Sequence, residues 1–112
     1  MTDLEFLQAV RAKIDTPEKW TQGTFGRTAD ERPMDVHSDD LNIDSHLLRT
    51  AAKVCIVGAA YTVANGTDLP HMRLSNLLGF EFAWYLTDWN DEANRTHDEV
   101  LALIDGAIAK AS

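Results

Sequence analysis

The sequence predicts an all-α protein, a single-domain bundle of four to five helices with a long acidic loop. Three observations carry this. Two stretches, one at the start and one near the end, open with paired capping residues and continue with apolar residues at helical spacing. Residues 47–65 are apolar around most of a helical circumference. Residues 22–44 lack periodic apolar positions and gather Gly, Pro and Asp instead. A chain of 112 residues has the length of one domain, spanning 1–112. A domain of this size buries roughly two-thirds of its unfolded surface, so folding requires neither disulfides nor metal.

The first helix is expected over about residues 3–15. Thr2 and Glu5 have capping-box spacing, and Leu4, Phe6, Leu7, Val10 and Ile14 share one face. Asp15-Thr16-Pro17 ends the helix and begins a short helical turn, because proline suits a first helical position. Trp20 sits in that turn. The next segment carries Asp30, Glu31, Asp35, Asp39, Asp40 and Asp44 against only Arg27 and Arg32. A loop this long in a small domain is often either functional or mobile. The plain alternative is a solvated loop with a short helix from Ser38 or Asp39 into Leu41 and Ile43.

Residues 47–65 are expected to form the central helix. Ala51, Cys55, Gly58, Ala59 and Thr62 make a stripe of small residues that lets a partner helix come close. Arg49, Lys53, Ala60 and Ala64 make one exposed strip. The β-branched Val54, Ile56, Val57, Thr62 and Val63 leave a strand as the competing reading. Length and the lack of strict alternation favour helix. Asn65-Gly66 is a suitable stop. Its uncharged run is too short for a bilayer, which needs about 20 residues.

Thr67-Asp68-Leu69-Pro70 leads into a further helix. His71, Leu74, Leu78, Phe82, Tyr85 and Trp89 form one stripe if that helix continues to Leu86, although Gly79 can break it. The last helix opens with a second capping box, Thr96 to Glu99. Val100, Leu101, Leu103, Ile104, Ala107, Ile108 and Ala111 form its apolar face.

Trp89-Asn90-Asp91, Arg95-Thr96 and the closing helix with Val100-Leu101 and Ala107-Ile108 resemble a family of small proteins of unknown function from actinobacteria and their bacteriophages. Trp20-Thr21-Gln22-Gly23 is similar to the family's segment after the first helix, and Cys55-Ile56-Val57-Gly58-Ala59 to its central segment. Val54 departs from it, since members often carry Trp before the Cys. The resemblance implies a fold and a source. It implies no mechanism.

Charge and motifs narrow the function. The net charge of −8 argues against direct binding to nucleic acid or to anionic membranes. The opening Met1-Thr2-Asp3 leads into a charged amphipathic segment, not a signal peptide, which points to the cytoplasm. The one cysteine, Cys55, reads as a small core residue. No Gly-x-Ser-x-Gly, no phosphate-binding glycine loop and no EF-hand register occurs. His37, Asp39, Asp40, Asp44 and His46 are of metal-binding types, but no spacing among them is diagnostic, so no metal and no cofactor is expected.

Trp89-Asn90-Asp91 is the most informative local motif. Its structural reading has Trp89 burying its ring just outside a helix, Asn90 and Asp91 bonding nearby backbone in turns, and Arg95 pairing with Asp91 or Asp88. A ligand site would use the same groups. The candidate binding residues are therefore Trp20, Asp39, Asp40, His46, Trp89, Asn90, Asp91 and Arg95, and no catalytic residue is assigned. The leading functional reading is a non-enzymatic, phage-related accessory protein that binds a host protein or a small ligand. The alternatives are a small hydrolase using the acidic-loop carboxylates with His46 or His37, and an acidic mimic of nucleic acid that occupies a DNA-binding protein.

Overall fold

The structure is a computed structural model that describes residues 2–34, 48–63 and 69–112. Among these residues it is all-α, with five helices and one small two-stranded sheet.

Helix α1, Asp3–Lys13, opens on the expected capping box: Thr2 accepts from the Glu5 amide, and Glu5 reaches back to the Thr2 amide. Its buried residues are Phe6, Leu7 and Val10, with Ile14 buried just beyond its end. A 3₁₀ turn follows at Pro17–Lys19, and Trp20 lies at its end. The segment after it forms β1, Gly26–Arg27, which pairs antiparallel with β2, Lys53–Val54.

That pairing corrects the expected central helix. Helix α2 covers Ile56–Val63, and the helical assignment does not extend back over residues 49–55. Backbone partners explain the difference. The Ala52 amide donates to Arg27 O, the Cys55 amide to Phe25 O, and Val54 O accepts from the Thr21 amide. These bonds keep residues 52–55 out of the helix, so the strand reading holds at Lys53–Val54 and the helix reading from Ile56 to Val63. Leu47 and Asn65, the expected ends, lie outside the described residues.

Two details of the helix also change. Ala60, expected in the exposed strip, is fully buried. Gly58 does permit a close approach, but its neighbour there is not a helix. A Cβ at Gly58 would sit 2.2 Å from Phe25 O, so the backbone of the segment before β1 fills the space. Helix α2 is the centre of the fold even so. It packs against α1, α3 (Pro70–Leu78) and α4 (Ala83–Asp91), and buries Ile56, Val57, Ala59, Ala60 and Thr62.

The single stripe from His71 to Trp89 is divided. Gly79 takes the left-handed conformation, φ +88°, and its amide closes onto the end of α3. Glycine reaches that region without the Cβ penalty, so α3 stops and α4 begins afresh at Ala83. Leu74 and Leu86 each reach the core from their own helix. Helix α5, His97–Ala111, carries the second capping box as expected and packs on α1 through Val100, Ile104 and Ala107. The acidic stretch beyond Met34 lies outside the described residues.

Candidate functional site

Asn90 is the polar centre of the molecule. It has no solvent exposure, and every amide group of its side chain is used. Its Oδ1 accepts from the Trp20 indole Nε1 at 2.8 Å and from the Ile56 amide at 3.2 Å. Its Nδ2 donates to Thr21 O at 3.2 Å and to Asp91 Oδ1 at 2.9 Å. The Ile56 bond satisfies an amide in the first turn of α2 that has no partner within its own helix. Cys55 contributes there as well, its Sγ accepting from the Gly58 amide.

The strand-side segment answers with matching groups. Gln22 Nε2 donates to Asn90 O and to Glu92 O, both at 2.8 Å, and the Gly23 amide donates to Asp91 Oδ1 at 2.9 Å. Arg27 holds the same segment from behind, donating to Thr21 Oγ1 and to Gln22 O. Trp20-Thr21-Gln22-Gly23 and Trp89-Asn90-Asp91 are thus two halves of one hydrogen-bonded corner. Buried polar groups that are all partnered give a unique packing, whereas an unpartnered one is costly.

This arrangement corrects three expectations. Trp89 lies inside α4, not outside a helix. Asn90 and Asp91 bond distant backbone, not a local turn. Arg95 pairs with neither Asp91 nor Asp88. It binds Glu92 at 2.9 Å and Glu99 at 3.2 Å, donates to Trp89 O, and stacks 3.9 Å from the Trp89 ring centroid. Trp20, Trp89, Asn90, Asp91 and Arg95 are therefore brought together. Asp39, Asp40 and His46 lie outside the described residues, as do His37 and Asp44. Among the described residues no group of three His, Cys, Asp or Glu side chains is placed to hold a metal ion. Nor is any described helix long and apolar enough to cross a membrane.

The profile of a family of unknown function, DUF6197, matches residues 1–110. The chain belongs to this family. Neither curated proteins nor solved structures give a match. The two motifs that form the corner of this DUF6197 chain join the end of α4 to residues 20–23 and to the start of α2.

Two clefts remain to be weighed. One of about 370 Å³ adjoins the corner, between Phe25, Met34, Thr87 and Asp91. Its carboxylate, Asp91, already accepts from Gly23 and Asn90. The other, of about 210 Å³, lies between α3 and the start of α4 and is lined by His71, Met72, Ser75, Glu81, Phe82 and Trp84. Here His71 stacks on Tyr61 and bonds its hydroxyl through Nδ1. Burial pushes the His71 ring below its ordinary range and the Tyr61 phenol above its own. Neither Ser75 nor Cys55 is an activated nucleophile. The Ser75 hydroxyl donates to a backbone carbonyl, His71 O, and burial pushes the Cys55 thiol up to about 12.

Around the second cleft the rings turn outward. Trp84 is 58% exposed, Tyr85 46% and Phe82 40%, and Met72, which lines the same cleft, is exposed as well. Phe82 and Trp84 stack at 4.5 Å with an interplanar angle of 5°, and Tyr85 meets both edge-on. Sequence reasoning missed Trp84. A signal was present in Phe80-Glu81-Phe82-Ala83-Trp84-Tyr85: aromatics packed this densely cannot all lie on the inward stripe of one helix.

Proposed function

We propose that this protein is a non-enzymatic binding protein whose contact surface is the aromatic face of Phe82, Trp84 and Tyr85. The observation that carries the reading is the exposure of three mutually packed rings beside a cleft. Exposed apolar groups in a cluster mark interaction sites more often than isolated ones do, and Trp and Tyr are the residues that most often dominate binding energy. The rings also stack on one another, so less side-chain freedom is lost when a partner arrives. The resemblance to proteins of actinobacteria and their phages supports an accessory role of this kind as part of the same proposal. The corner of Trp20 and Asn90 would serve that surface by fixing the far end of α4.

The test is site-specific photocrosslinking in the source cell. A photoreactive phenylalanine analogue at position 84 should give a discrete crosslinked product. The same group at position 110, on an exposed part of α5, should not. Equal labelling from both positions, or none from position 84, would remove the aromatic face as the contact surface.

A further inference from the structure

The charges around the aromatic face identify the chemistry of what it binds. Trp84, Tyr85 and Asp88 are exposed and lie three and four residues apart in α4, so they share one face of the helix, and Glu81, exposed just before the helix, lines the cleft with Phe82 and Trp84. Among the described residues neither carboxylate takes part in an ion pair, which is also true of Glu18, Asp91 and Asp98, but these two are the ones beside the exposed rings. The cleft beside the rings is lined by Glu81 and by no Lys or Arg. Arg73, the arginine of α3, is bound to Asp3 and lies over Phe6. Unpaired negative charge thus lies next to exposed rings on a molecule of net charge −8.

We propose that the Trp84 face receives an arginine- or lysine-bearing segment of a partner protein, the cation lying over a ring and between Glu81 and Asp88 while an apolar neighbour enters the cleft. This rests on the contact-surface reading above and adds the partner's charge. A cation over Trp or Tyr is attracted by the ring quadrupole, and a nearby carboxylate adds to that attraction. Arginine suits the site best because its planar group stacks on an aromatic ring and pairs with a carboxylate at once. A second copy of this chain fits poorly, since a self-complementary contact would bring Glu81 and Asp88 toward their own copies. Nucleic acid and anionic lipid are repelled for the same reason.

The experiment is selection of a random displayed peptide library on the immobilised wild-type protein, with Trp84→Ala protein as the counter-target. Trp84 is more than half exposed, so that variant should fold, which circular dichroism checks. The recovered peptides should be enriched in Arg or Lys next to apolar residues. A synthetic consensus peptide should bind at least about tenfold more weakly to Trp84→Ala and to the Glu81→Lys/Asp88→Lys double variant. Its affinity should fall as salt is raised. Uncharged or acidic peptides that still need Trp84 would overturn the cationic partner and leave the contact surface standing. Binders indifferent to Trp84, or no Trp84-dependent binder at all, would overturn both. Self-association abolished by Trp84→Ala would overturn the proposal in favour of a second copy. Should Trp84→Ala fail to fold, the charge-reversed double variant carries the same comparison.

Discussion

Helix α4 has two aromatic ends that behave in opposite ways. At its last turn, Trp89 lies under the Arg95 guanidinium, and Asn90 bonds the Trp20 indole with no surface exposed. At its first turn, Trp84 is 58% and Tyr85 46% exposed, with Trp84 stacked on Phe82 and Tyr85 edge-on to both. The difference lies in the neighbours. The last turn meets backbone from residues 20–23 and from the start of α2, which supply a donor or acceptor for each polar group. A polar group enclosed and paired stabilises the fold, while an apolar ring left open is free to gain by binding. The residues whose spacing drew attention in the sequence are therefore those of the structural end.

The strongest way to break this comparison is at Asn90. Asn90→Ala leaves the Trp20 Nε1, the Ile56 amide and Thr21 O without their partner. Buried groups left unpaired cost about 1–3 kcal/mol each, so a loss of about 3 kcal/mol or more is expected from the denaturation midpoint. A change below about 1 kcal/mol would show that the corner does not hold α4 in place.

The next effect is at the strand-side wall of the corner. Gly58→Leu places a side chain where Phe25 O already stands, and should cost at least about 1–3 kcal/mol by overpacking. Chemical denaturation checks it, and an unchanged midpoint would show that the segment before β1 yields freely.

A smaller effect calibrates both ends. Thr96→Ala removes a capping hydroxyl from α5 and should cost about 1 kcal/mol. The same cap has a pH signature. The Thr96 amide, chiefly, holds the Glu99 carboxyl below its ordinary range. A carboxylate held low contributes stability above its unfolded pKa of about 4.3, and loses it as pH falls through the lower folded value. The stability gap between wild type and Glu99→Ala should be full at neutral pH and close only in that acidic window. A gap that persists in strong acid would assign it to packing.

The smallest effect is the sharpest. Trp84→Ala should change stability by no more than about 0.5 kcal/mol, as surface substitutions do, while removing most of the quenchable tryptophan fluorescence. If Trp84→Ala unfolds the protein, the two ends of α4 are both structural and the contrast between them fails.

Much of the fold was legible from residues close together in the chain. The two capping boxes depend on groups three residues apart, and both form as read. Gly79 ends α3 through its own backbone freedom, and Cys55 is buried in the apolar stretch that announced it. The candidate site was legible in part. Trp20, Trp89, Asn90, Asp91 and Arg95 do converge, but while Arg95 binds neighbours in sequence, the groups that Trp20, Asn90 and Asp91 meet across the corner are far away in the chain.

Local spacing therefore determined where helices start and stop and which residues are apolar. Tertiary structure decided the rest. Only the pairing of residues 20–27 with 52–55 kept the residues just before Ile56 out of the helix, with Lys53–Val54 as strand, because extended backbone is satisfied by a partner that spacing cannot specify. Only packing decided that Asn90 would be enclosed and Trp84 open, since burial depends on what the rest of the chain brings against each turn of one helix.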